Sequence, residues 1–152
     1  MKYFKEELFD YDYKDEKARH EADIKFREAC DAYSKYFDTI KDRLSKTFLS
    51  LYYKNDGFHD SLITNINIES IQKSRCCIKM ILEINRKLYS LNYKNVSAYN
   101  LCVPQGIDWF SGTMCWLYGE FELQKDGQLN HKILCNHSEL EITCKKIFIK
   151  KI

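Results

Sequence analysis

A chain of 152 residues with 45% apolar content and a single proline suits one compact domain that buries its own core without metals or disulfides. Its 24 basic and 22 acidic side chains leave a net charge of +2, with −2 on residues 1–60 and +4 on residues 61–152. Disorder and a multidomain enzyme are thereby excluded, and the charge is too balanced to announce nucleic acid or an anionic membrane surface.

At the amino terminus Met1-Lys2-Tyr3-Phe4-Lys5 runs into Glu6 and Glu7 before any apolar run of signal-peptide length can form. No stretch approaches the roughly 18 consecutive apolar residues that span a bilayer, so a cytoplasmic location is expected. From Asp15 the residues Ala22, Phe26, Ala29, Tyr33, Phe37, Ile40, Leu44, Phe48 and Leu51 recur every three or four positions, a helical period. Residues 14–56 contain no glycine or proline. Asp15 can cap the start, and Ser45 can begin a short second helix over Thr47 to Tyr53. The opposite face carries Glu21 and Lys25, Asp23 and Arg27, and Asp31 and Lys35 at i,i+4 spacing, each worth roughly 0.2–0.5 kcal/mol on a solvated helix.

After Gly57 the period changes to two. Leu62, Thr64, Ile66 and Ile68 alternate with mostly polar neighbours, Ile78, Met80, Leu82 and Ile84 repeat the pattern, and Lys87 to Lys94 reads as a third strand. Val96 to Val103 is ambiguous, and Val103-Pro104-Gln105-Gly106 fits a turn. Met114 to Leu123 and Leu129 to Cys135 form strands around an Asp126-Gly127 hairpin signal. The last strand starts at Glu139 and shifts phase between Cys144 and Ile147, which suggests a bulge at Lys145-Lys146. The predicted class is α+β over a single domain 1–152. A helical layer at 14–53, one long helix and a short one, packs on an antiparallel meander of five to six strands at 60–152.

The five glycines are scattered, so no phosphate-binding loop or dinucleotide fingerprint exists, and no nucleophile-elbow serine, Cys-x-x-Cys or His-Glu-x-x-His appears. No cofactor or metal is expected. The seven cysteines are an odd set placed among Ile and Leu, which reads as free thiols packed as small hydrophobes. His59-Asp60 is the most interesting polar pair, because a histidine at a loop-to-strand junction suits a base near neutral pH. Adjacent residues on an extended chain point to opposite faces, however, and the bland alternative has Asp60 or Ser61 bonding turn amides while His59 bridges helix to sheet. His131, Cys135 and His137, with Cys144 on the next strand, have zinc-ligand chemistry but no ordered zinc signature. The segment from Trp109-Phe110 to Cys115-Trp116-Leu117-Tyr118 and Glu120 concentrates both tryptophans. Such density means core, or an anchor patch for a partner where it stays exposed.

Met1-Lys2-Tyr3-Phe4, Phe58-His59-Asp60-Ser61 and Trp116-Leu117-Tyr118-Gly119-Glu120 together resemble a family of uncharacterised small bacterial proteins, over most of residues 40–152 and the opening tetrapeptide. In size and layout that family is similar to helix-plus-sheet immunity proteins. With no catalytic framework in a small, well-cored chain, the expected function is a non-enzymatic cytosolic protein-binding module, and the likeness in layout points to the kind that neutralises a bacterial toxin. Trp109, Trp116, Tyr118 and Glu120 are its expected contact residues, with His59 and Asp60 as a second cluster. The expected partner is a protein rather than nucleic acid or membrane. The alternative is a small enzyme using His59 with Asp60, or His131 with Cys135.

Overall fold

The computed structural model describes residues 1–5, 8–71, 75–102, 114–136 and 138–152. The expected turn at 103–106, Trp109 and His137 lie outside the described residues.

Two helices form where the sequence supplies caps. Helix α1 spans Glu16–Ile40, and the Asp15 carboxylate accepts the Lys17 and Ala18 amides at its start. Helix α2 spans Lys46–Lys54, with the Ser45 hydroxyl accepting the Phe48 amide at 3.2 Å. A 3-10 turn at Lys41–Arg43 joins them. The apolar stripe of α1 is only half-buried up to Cys30 and enters the core at Tyr33, Phe37 and Ile40. Among the described residues none of the three expected i,i+4 ion pairs closes, and the pair that does joins Asp38 of α1 to Lys41 of the 3-10 turn at 2.8 Å, both exposed. Such a pair adds little to stability.

The strands are β1 Leu62–Ile71, β2 Arg75–Ile84, β3 Lys87–Cys102, β4 Met114–Leu123, β5 Leu129–Cys135 and β6 Ser138–Lys151. All pairings are antiparallel, so the α+β reading holds, and the sheet closes on itself as a barrel in the order β1-β2-β3-β6-β5-β4. Two three-stranded meanders are joined by a long β3–β6 seam, Tyr89 to Cys102 against Lys151 to Glu139, and by a short β1–β4 seam of two register pairs. The ambiguous segment after Val96 is the second half of β3.

Bulges reset the inside-outside alternation. In β1 the register shifts between Ile63 and Asn65, so Ile63 is buried while Ile68 is exposed, a departure from the simple alternation of Leu62, Thr64, Ile66 and Ile68. In β6 the phase does change, with Cys144 and Ile147 both buried around exposed Lys145 and Lys146. The opposite strand changes with it: Tyr93 and Val96 are both buried, Asn95 has φ +53°, and the register irregularity itself falls on β3 between Val96 and Ala98.

A six-stranded barrel is narrow enough to be filled by side chains. Met80, Leu82, Leu91, Tyr93, Trp116, Phe121, Ile133 and Ile142 are all at most 1% exposed. Helix residues Phe37, Phe48 and Tyr52 meet Phe121 with ring centroids 5.6–6.2 Å apart, so helices and barrel share one core. Beyond the short β1–β4 seam the second half of β4 has no strand on that side among the described residues, and α1 supplies partners there. The Phe121 amide donates to the Tyr33 hydroxyl at 2.7 Å and the Leu123 amide to the Tyr36 hydroxyl at 2.9 Å. Tyr33 thus satisfies a buried strand amide that would otherwise be penalised, while Tyr36 caps an exposed one.

Candidate functional site

The segment between α2 and β1 carries the densest run of positive φ among the described residues. Four of the five residues 56–60 have positive φ: Asp56 at +44°, Gly57 at +68°, Phe58 at +70° and Asp60 at +61°. For non-glycine residues this costs of order 1–3 kcal/mol each, and something must hold it. Phe58 does so. Its ring is fully buried, edge-on to Phe48, Tyr52 and Trp116 with centroids 5.4–5.5 Å away. The Asp60 amide then donates to the Trp116 carbonyl at 2.9 Å, and the Trp116 amide to the Ser61 carbonyl at 2.8 Å, tying the corner to β4.

This left-handed turn overturns one expectation. Because Asp60 is not extended, its side chain and that of His59 lie together, Nδ1 to Oδ2 at 3.1 Å. The pair stays accessible, with side-chain exposures of 37% and 76%. The His59 ring stands edge-on to Tyr118 at 5.3 Å, and the Cys115 thiol donates weakly to Asp60 Oδ1 at 3.9 Å. Burial and the Asp60 carboxylate both push the Cys115 thiol up, away from the nucleophilic thiolate. Burial likewise raises Tyr118.

The aromatic cluster on β4 does not form one patch. The register against β5 shifts between Trp116 and Tyr118, so residues two apart face opposite sides. Trp116 is fully buried inside the barrel. Tyr118 faces out and is covered by Phe4, Phe9 and Phe26, with centroids 5.0–5.3 Å away. Glu120, 4% exposed, accepts the amides of Lys2, Tyr3 and Phe4 at 2.6–2.7 Å. Trp116 and Glu120 are therefore enclosed in the folded chain and present no contact surface, which corrects the expected anchor patch. Nothing in the local sequence marked Glu120 as the receptor for an amino-terminal strap more than a hundred residues away.

The candidate zinc set disperses into the barrel. His131 is fully buried, stacked on Phe121 at 3.8 Å, with Nδ1 bonded to the Tyr93 hydroxyl at 2.8 Å. Burial alone lowers its pKa to about 3. Cys135 and Cys144 are buried, and burial pushes their thiols up to about 11 and about 12. Those two and Cys77 pack as small hydrophobes, whereas Cys30, Cys76 and Cys115 are half-buried and Cys102 is exposed. Among the described residues no three His, Cys, Asp or Glu side chains converge as metal ligands.

The interior leaves no room at Gly119. A Cβ there would sit 2.9 Å from Trp116 Cζ2 and 3.3 Å from His131 Nε2, and both rings are fully enclosed. Gly119→Ala is expected to destabilise the protein by about 1–3 kcal/mol, read from the urea midpoint, because neither ring can retreat. An unchanged midpoint would show that the packing around Trp116 is loose.

The arrangement defines a helix-sealed antiparallel barrel of the α+β class, with a rigid, polar, accessible corner at His59 and Asp60. The chain belongs to the family described as protein of unknown function (DUF4085), which matches residues 5–145. No curated protein matches it. Among the described residues, no helix is long and apolar enough to cross a membrane.

Proposed function

We propose that the protein is a non-enzymatic binding module for another protein, acting as an immunity-type neutraliser of a bacterial toxin, and that the His59–Asp60 corner belongs to its contact surface. The strained corner carries this reading. A fold that spends backbone energy on three non-glycine residues at positive φ, and anchors them through buried Phe58, holds an exposed imidazole and carboxylate in fixed positions. Rigid presentation lowers the ordering cost of association. The raised pKa of the neighbouring Cys115 thiol favours contact over covalent chemistry at the same corner.

The test is co-expression of the tagged chain with the products of genes adjacent to its own. One defined partner should be recovered, and growth restored where that partner is toxic. Asp60→Gly removes the carboxylate while glycine adopts φ +61° freely, so the fold should survive and capture should drop at least tenfold. Recovery of no partner, with no rescue of growth, would remove the reading; equal capture by both forms would take the corner out of the interface.

A further inference from the structure

A groove of about 570 Å³ runs between α2 and the adjoining ends of β3 and β6, and neither His59 nor Asp60 lines it. The charged side chains that line it are cationic: Lys46 and Lys54 on the helix, Lys150 and Lys151 on β6, and all four are exposed. Among the described residues no acidic side chain lines it. Its floor is apolar, built from half-buried Leu51 and Tyr89 and from buried Ile149, while Thr47 and Ser50 add hydroxyls on the helix wall. Lys46 and Lys54 mark the two ends of the helical wall, about 12 Å apart at 1.5 Å per residue.

We propose that this groove docks an acidic amphipathic segment of the protein partner, about two helical turns long, with apolar side chains on Leu51, Tyr89 and Ile149 and carboxylates towards the four lysines. The proposal rests on the binding reading above and adds the partner's chemistry to it. Charge complementarity selects the occupant: four like charges around one concavity attract an anion and repel a basic segment. The apolar floor selects further, because a purely polar anion leaves it wet, whereas an amphipathic helix buries one face in such a groove. A phosphate backbone would gain from the lysines and little from Leu51 and Ile149.

The probes are three fluorescein-labelled twelve-residue peptides: one with Glu on one helical face and Leu on the other, one with every Leu replaced by Ser, and one with every Glu replaced by Lys. The Glu/Leu peptide should bind the wild-type chain at least tenfold tighter than either control. Lys46→Glu with Lys151→Glu, one change on each wall, should weaken it at least tenfold. Glu at the first turn of α2 suits the helix dipole, so this loss does not come from a weakened helix. Leu51→Lys is a second variant, which places a charge on the floor and should also weaken the Glu/Leu peptide. Equal binding of the Glu/Leu and Glu/Ser peptides would overturn the proposal by reducing the groove to a diffuse cationic surface. Binding unaffected by the lysine reversals would overturn it too, as would preference for a DNA duplex or for phosphatidylglycerol vesicles over the peptide. If the peptide fails while a co-expressed partner is still captured and lost in Asp60→Gly, the groove is wrong and the binding module stands.

Discussion

Acidification from pH 7 to pH 4.5 should cost the folded protein about 2.5 kcal/mol through His131 alone. The imidazole is fully buried with no carboxylate against it among the described residues, and burial lowers its pKa from 6.5 to about 3. In the unfolded chain the same ring titrates near 6.5. Below that pH the unfolded state takes up a proton that the native state refuses, so the equilibrium moves towards unfolding. The native advantage is complete above about pH 6.5, falls by about 1.4 kcal/mol per pH unit below it, and stops falling near pH 3, where the folded ring protonates as well. His131→Asn removes the titration and keeps a polar atom for the Tyr93 hydroxyl. The variant should be less stable at pH 7, but its urea midpoint should decline less steeply with acid. Carboxylates elsewhere titrate alike in both proteins, so the difference in slope isolates His131. Parallel slopes would mean that the ring is protonated or solvated in the native state.

What the sequence discloses here is local, and what it conceals is long-range. Both helices were legible because their signals lie within a few residues: Asp15 and Ser45 at the starts, an unbroken 3.6-residue rhythm between. The strands were legible for the same reason, down to the phase change after Cys144. Closure was not, since the β3–β6 and β4–β1 seams join segments whose pairing leaves no mark in either one. The candidate site failed in two instructive ways. Trp116 and Tyr118 share a face in a regular strand, and a one-residue bulge at Leu117 sends one into the core and the other under the amino-terminal strap. His59 and Asp60 diverge on an extended chain, and a positive φ at an aspartate, which no sequence rule demands, brings them to 3.1 Å. Tyr33 belongs to the stripe by periodicity and Tyr36 lies one turn on beside it, yet their hydroxyls serve β4 amides almost ninety residues away.

Glu120→Ala should loosen the amino terminus and destabilise the whole protein by about 2–4 kcal/mol. One carboxylate accepts three consecutive amides, Lys2 on Oε2 and Tyr3 and Phe4 on Oε1, and is itself buried. Hydrogen bonds to charged acceptors are worth about 1.5–3 kcal/mol each, but a released strap recovers water for its amides, so the loss stays below their sum. The strap also packs its rings: Phe4 lies on Tyr118 at 5.1 Å and against Tyr33 at 5.5 Å, and Tyr3 stacks on Tyr36 at 5.9 Å. Those contacts need the backbone held where Glu120 holds it. Glu120→Gln keeps an oxygen for Tyr3 and Phe4 and turns an amide donor towards the Lys2 amide, so it should cost less than half as much as alanine. Hydrogen exchange at Lys2, Tyr3 and Phe4 separates the two contributions. Fast exchange in the alanine variant and intermediate exchange in the glutamine variant make the carboxylate the fastening; slow exchange in both would make the aromatic rings sufficient, with Glu120 merely filling a place among amides that need no charge.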